Sequence, residues 1–329
     1  MSRAIDRPGR AAAGAAGAAA AGPPRRDPLG YVMVVAAYLL MGGTASLVAL
    51  IDAPTGAVVC VRMAFAALVL AAFFARRGML TDWRRPGAAP RLLLMGAASS
   101  ASTLLFFVAI RETSVAIATI LLFMMPVWVA LVAPRVFRLR REPIVFPALA
   151  LALAGLAVIL APGLFGGGAR ISALGLATGV AAGLGYASFV LLVKDLTGRV
   201  ASTTVSFSEA GLDALFLLPL TLWQLSDTGY RFTLRDLVVL LVMGVVCTAL
   251  AHTLWAEGTR RVRVEHVSIL GYVEPVAAPI YALILLGQQP GLWTIVGGAF
   301  ILTAGLLVVV LGRAGGESSL AALAEAEPL

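Results

Sequence analysis

The sequence has little charge and few residues suited to metal binding or covalent cross-links. Of its 329 residues only 13% are charged, and it contains two cysteines, two histidines and one lysine, Lys194. Because a soluble domain carries about 25% charged residues, a soluble globular protein, a disulfide scaffold and a disordered chain are excluded. Cys60 and Cys247 lie inside apolar runs, so we expect small buried side chains. No motif for phosphate or metal binding is present, and we expect no cofactor and no metal site.

Apolar residues make up 60% of the chain, and the mean hydropathy is +0.95. They fall in ten runs, each close to the length of about 20 residues that a helix needs to cross a membrane. The sequence therefore predicts an all-α polytopic membrane protein with ten transmembrane helices. The predicted spans are 30–51, 53–75, 92–110, 113–134, 143–161, 171–193, 202–225, 237–256, 265–286 and 290–311.

The net charge is +8, and the basic residues lie mostly in the short segments between apolar runs. Twenty of the 25 basic residues fall on the side of the membrane that holds the N-terminus, and only Arg111, Arg170, Arg231 and Arg235 fall on the other. Cytoplasmic loops are enriched in arginine and lysine. The bias predicts that both termini are cytoplasmic, and it explains the positive charge without a nucleic-acid partner.

The two halves of the chain resemble each other. A Pro-Val pair at 126–127 recurs at 275–276, and an Ala-Gly-Leu segment at 154–156 recurs at 304–306. Five spans per half would turn the second copy upside down relative to the first, which is a common design in secondary transporters. We predict two inverted five-helix repeats, 29–161 and 171–312, between a flexible cytoplasmic tail, 1–28, and a C-terminal cytoplasmic tail, 313–329.

These features resemble the EamA-type transporters of the drug/metabolite transporter superfamily over about residues 30–312. The resemblance rests on Pro54 followed by Arg62, on Phe-Phe-Val-Ala-Ile at 106–110, on Leu-Trp at 254–255 and on Glu-Pro-Val at 274–276. It implies a ten-helix permease of the bacterial inner membrane. It also implies export of amino acids or related metabolites, with the proton gradient as a possible driving force.

Ionisable side chains within a span are costly and are therefore candidates for function. Glu274 directly precedes Pro275, whose ring frees backbone carbonyls one turn earlier, so it is suited to a cationic group or a proton. Arg62 is suited to a substrate carboxylate, and the alternative is a structural ion pair with Glu209 or Glu274. Glu209 and Asp213 share one helix face, and with His252 and Glu274 they are candidates for proton coupling. The alternatives are a wetted vestibule for the two carboxylates and a packing role for His252.

Aromatic residues within spans are candidates for the walls of a central cavity, although aromatic residues also fill cores. We predict that Tyr38, Tyr186, Trp255 and Tyr272 bind substrate. Two runs of small residues, at 42–46 and 183–188, permit close helix packing and are candidate pivots.

We therefore predict a secondary transporter of a small organic solute that works by alternating access and is not an enzyme. The alternatives are an intramembrane lipid-modifying enzyme, with buried carboxylates as its catalytic groups, and a passive channel. The predicted partners are the solute and the lipid bilayer. The sequence leaves the participation of protons and the formation of a homodimer open.

Overall fold

The structure, a computed structural model, describes residues 27–74, 82–113, 115–138, 141–165 and 172–312. Apart from residues 27 and 28, the two predicted tails lie outside these ranges. Ten helices in the described part are long and apolar enough to cross a membrane. The prediction of an all-α protein with ten spans is confirmed, and each span agrees with its predicted bounds to within a few residues.

Seven of the ten helices are continuous and three are interrupted. The first half contains α1 (Pro28–Val48), α2 (Thr55–Phe74), α3 (Ala88–Glu112), α4 (Val115–Leu122 and Met125–Val136) and α5 (Val145–Phe165). The second half contains α6 (Ala173–Thr197), α7 (Ser202–Thr228), α8 (Leu234–Val242, a π-helical segment Met243–Leu250, and Ala251–Arg261), α9 (Val264–Leu270 and Val273–Leu286) and α10 (Leu292–Leu311).

The interruptions of α4 and α9 lie at equivalent places in the two halves. Each break is two residues long and comes just before the proline that the sequence comparison aligned, Pro126 in α4 and Pro275 in α9. Proline has no backbone N–H and its ring clashes with the preceding turn, which favours a break there, although α7 continues through Pro219. The breaks leave polar backbone groups at membrane depth, where another part of the protein must satisfy them.

The helices pack in pairs that cross between the halves. α1 packs on α8 and α9, α6 packs on α3 and α4, α2 packs on α7, and α5 packs on α10. Exchanging each helix of the first half for its counterpart in the second reproduces the same pairs. The centre of the protein is therefore enclosed by helices from both halves.

Candidate functional site

A cavity of about 300 Å³ lies in the centre of the bundle. Its walls come from both halves, and charged, hydroxyl and aromatic side chains alternate around it. The lining includes eight of the nine predicted site residues: Tyr38, Arg62, Tyr186, Glu209, Asp213, His252, Trp255 and Glu274.

Arg62 brings an unpaired cation to this cavity. Its Nε is buried and has no hydrogen-bond partner, and the described residues contain no ion pair of Arg62 with Glu209 or with Glu274. A buried donor without a partner is expensive. The structural ion pair that the sequence left open is therefore absent from this structure, and the guanidinium is available to a ligand.

The backbone around Arg62 is shaped by α8. Gly244 lies at the start of its π-helical segment, where a Cβ atom would be 2.8 Å from the carbonyl oxygen of Arg62 and 2.7 Å from Cβ of Phe65. Only glycine allows α8 to come this close to α2. The π-helical turn also carries Cys247 into the cavity lining, and such turns often occur at functional sites.

Glu274 brings an unpaired anion to the same cavity. It lies in the first turn after the break of α9, and its carboxylate makes no hydrogen bond or ion pair with any described residue. Arg62 and Glu274 thus line one cavity with opposite charges and without a direct ion pair.

Two carboxylates of α7 are held by other helices. Asp213 accepts hydrogen bonds from Ser99 (2.8 Å) and Ser100 (2.7 Å) of α3, one on each carboxylate oxygen. Glu209, one turn earlier, lies 2.9 Å from Nδ1 of His252 in α8. The helical spacing of the two carboxylates places both at the cavity, as expected, and their partners lie on two different helices.

Aromatic side chains of α1, α6 and α8 form part of the cavity wall. Trp255 donates a hydrogen bond of 2.8 Å to the Tyr38 hydroxyl and stacks on Phe189, with ring centroids 5.6 Å apart. Phe189 in turn stacks on Tyr186, at 6.0 Å. These contacts fix the ring planes, so the wall offers a rigid apolar surface beside the charged groups.

Tyr272, which the sequence predicts to bind substrate, is not among the residues that line the cavity. It is completely buried, and its hydroxyl donates a 2.5 Å hydrogen bond to the carbonyl of Phe123. Phe123 and Tyr272 are the residues at the breaks of α4 and α9, so the tyrosine satisfies a carbonyl that the break in α4 leaves free. Its role in this structure is to join the two broken helices.

Several residues that line the cavity were not predicted from the sequence. α3 contributes Ser99, Ser102 and Thr103 together with Phe106 and Phe107. The hydroxyl run at 99–103 was a visible signal, because hydroxyl side chains in a lipid-spanning helix need partners inside the protein. Phe106 and Phe107 were noticed only for their resemblance to a family pattern.

Together these features define a class of protein: a polytopic membrane protein with a polar central cavity between two sets of five helices. The profile of the EamA-like transporter family matches residues 28–161 and again residues 173–311. The chain belongs to the EamA-like transporter family, as its sequence features indicated.

Named relatives of this chain are described as transporters. A protein of Archaeoglobus fulgidus described as an uncharacterized transporter is 30% identical over 85% of this chain and 95% of its own. The threonine/homoserine exporter RhtA of Escherichia coli K12 is 26% identical over 78% of this chain and 83% of its own. A crystal structure with 17% sequence identity covers 86% of this chain and 97% of its own with a TM-score of 0.74, which shows the same fold. The alternative of a lipid-modifying enzyme receives no support from these relatives.

Proposed function

We propose that this protein is a secondary transporter that exports an amino acid or a related metabolite across the bacterial inner membrane by alternating access. The observation that carries the proposal is that Arg62 and Glu274, with opposite charges and no direct ion pair, line one central cavity. A zwitterion presents a carboxylate and an ammonium group, which are the two groups that this pair would hold. The aromatic wall beside them suits the apolar part of the solute.

Alternating access needs two halves that can move against each other around a fixed site. The predicted inverted repeats, 29–161 and 171–312, would provide them, and the symmetric helix pairs and the two matches of the family profile support this assignment. The small-residue runs of α1 and α6 would serve as pivots. Gly42 packs on Ala277 of α9, and Gly183 packs on the backbone of α4 at Leu121.

Proton coupling would be provided by Glu209, Asp213 and His252, with Glu274 binding either a proton or the ammonium group of the solute. The three residues lie at the cavity and pair with helices of both halves. Protonation of a carboxylate that holds two helices together changes those contacts, and so links the proton to helix movement.

Counterflow in proteoliposomes tests the proposal. Vesicles loaded with unlabelled threonine or homoserine, the solutes in the name of one relative, should accumulate the labelled solute transiently and saturably. A panel of other amino acids would then rank the specificity. Flux without saturation would favour a passive channel, and no flux for any zwitterionic solute would reject the proposed substrate class. Asp195→Asn, which changes an ion pair with Arg91 and Arg199 outside the cavity, is the control.

A further inference from the structure

Five side chains form a buried polar network at the end of the bundle where α1 begins and α8 ends. This end, called the arginine-rich side below, is the one that the charge bias predicts to be cytoplasmic. The network, called the end network below, consists of Tyr31 in α1, Glu142 before α5, and Arg263, Glu265 and His266 at the start of α9.

The central member of the end network is His266, which has no solvent exposure. Its Nε2 lies 2.8 Å from a carboxylate oxygen of Glu142 and its Nδ1 lies 2.6 Å from the hydroxyl oxygen of Tyr31. A carboxylate can only accept, so Nε2 carries a proton, and in the neutral ring Nδ1 accepts the tyrosine proton. Arg263 contacts the same Glu142 oxygen at 3.2 Å and donates to Glu265 at 3.0 Å.

The end network connects the two halves of the chain. Tyr31 and Glu142 belong to the first half, whereas Arg263, Glu265 and His266 belong to the second. One further contact joins the halves, the pair of Arg261 with Asp27 at 3.1 Å. Within the second half, Lys194 of α6 donates to carbonyls at the end of α8, at 2.6 Å for Thr259. Burial acts to raise the pKa of Asp27, but the hydrogen bonds from Arg261 and from α1 amides hold it below its usual value.

The end network and the cavity wall belong to one hydrophobic cluster, which contains Tyr31 as well as Tyr38 and Trp255. Its fully buried members include apolar side chains from four helices and from the segment that follows α8: Val34, Val193, Val205, Val262 and Val267. The charges of the end network are themselves almost completely buried, Glu142 at 4% and Glu265 at 3% exposure. Buried charges are tolerated when they are paired, and each of these carboxylates has a basic partner within the end network.

The opposite side shows a weaker connection. There, in the part of the chain that the structure describes, the Thr221 hydroxyl of α7 donates a 3.3 Å hydrogen bond to the Gly56 carbonyl of α2, and Ser172 at the start of α6 donates a 3.0 Å hydrogen bond to Glu112 at the end of α3. The second contact is a half-buried pair with one neutral partner. The two ends of the bundle are therefore held unequally, although the helix pairing is symmetric.

We propose that the end network is the lock of the gate on the arginine-rich side, and that it must come apart for the solute to reach the cavity from the cytoplasm. The inference rests on the proposed function and concerns its regulation. In the structure the lock is closed, and it opens when the first-half residues Tyr31 and Glu142 separate from His266 and Arg263.

A native cysteine of this protein can report on the accessibility of the cavity from each side. Cys247 lines the cavity, and in a Cys60→Ala background it is the only cysteine. The experiment measures the rate at which a membrane-impermeant maleimide labels Cys247 from each side of vesicles of known orientation. Tyr31→Phe should increase the rate from the arginine-rich side by about fivefold, the effect of one lost hydrogen bond. Glu142→Gln weakens contacts with both His266 and Arg263 and should increase that rate at least as much. Glu112→Gln, the same substitution on the opposite side, should leave that rate unchanged.

Tyr31→Phe protects the test against misfolding, because it removes one hydroxyl and strands no charge. Unchanged labelling in both variants, with normal insertion and monodisperse protein, would overturn the gate proposal. Equal acceleration by Glu112→Gln would also overturn it, because the effect would then be a general loosening. The readout does not depend on transport, so an accelerated rate together with absent counterflow would uphold the gate and reject the proposed function.

Discussion

Nδ1 of His252 lies 2.9 Å from Oε1 of Glu209, so α8 and α7 are joined at the cavity by a pair that can hold a proton. Asp213, one turn along α7, is joined to α3 through two serine hydroxyls instead. Glu209 and Asp213, both in α7, thus contact helices of different halves: Glu209 contacts α8 of the second half, and Asp213 contacts α3 of the first. A change in protonation at this place can act on both contacts.

The first prediction concerns the response to a proton gradient. Glu209→Gln keeps the side-chain volume and removes the proton-binding group that faces His252. We expect counterflow to persist while accumulation driven by an imposed pH gradient is lost. The measurement is uptake in proteoliposomes with and without the gradient, with Asp195→Asn as the control. A gradient response equal to that of the unaltered protein would remove Glu209 from the coupling mechanism.

The second prediction concerns Arg62. Arg62→Lys keeps the charge but loses the planar fork that can bind a carboxylate through two donors. Because Arg62 makes no hydrogen bond or ion pair with the residues that the structure describes, we expect normal abundance and solute affinity weakened about tenfold, equal to about 1.4 kcal/mol. Solute affinity and membrane-inserted protein are measured on the same sample, with Arg199→Lys as the control. Reduced abundance with unchanged affinity would mean that Arg62 is structural.

The third prediction concerns Glu274. Glu274→Gln removes the negative charge and nearly preserves shape, and no partner in the described part of the chain is left stranded. An interaction with a charged group is worth about 1.5–3 kcal/mol, so affinity for an amine-bearing solute should fall at least about tenfold. Glu112→Gln, at the end of α3 and outside the cavity, should have no such effect. Wild-type flux in the Glu274→Gln variant would contradict both a binding and a coupling role.

The fourth prediction concerns orientation, on which the direction of export depends. Reporter fusions at Arg85 and Arg261 should report the cytoplasm, and a fusion at Thr228 should report the opposite side. The prediction follows from the arginine bias and from the positions of these residues between or at the ends of helices. A cytoplasmic signal at Thr228 would invalidate the orientation and leave the helices themselves unaffected.

The helices and their breaks could be predicted from the sequence because each depends on local properties. The length of an apolar run decides whether it spans a membrane, and Pro126 and Pro275 each favour a break in the preceding turn. Proline alone is not sufficient, because α7 continues through Pro219. The charged cavity residues were also predictable, because an ionisable group within a membrane span is costly and therefore indicates a functional site. Tyr272 was not, because a tyrosine within a span serves equally as a cavity wall or as a hydrogen-bond donor to a broken helix.

The end network could not be predicted for a different reason. Glu142 and His266 are 124 residues apart in the sequence, and both lie at predicted span ends, where water is normally present. Arg263 was interpreted as one of many arginines that set orientation. Only the three-dimensional packing shows that these end residues are buried and paired, since burial there depends on how the halves meet.

The last prediction concerns the contact between α1 and α9. A Cβ atom at Gly42 would lie 2.6 Å from Cβ of Ala277 and 3.0 Å from the carbonyl oxygen of Glu274. Gly42→Ala should therefore displace α9 and lower the free energy of unfolding by about 1–3 kcal/mol. Because Glu274 moves with its helix, the substitution should also impair transport. Gly211→Ala in α7 is the matched control, since a Cβ there meets no atom within 4 Å. It should keep transport and stability or raise stability slightly through better helix propensity. Equal behaviour of the two variants would show that close packing at Gly42 does not position the site.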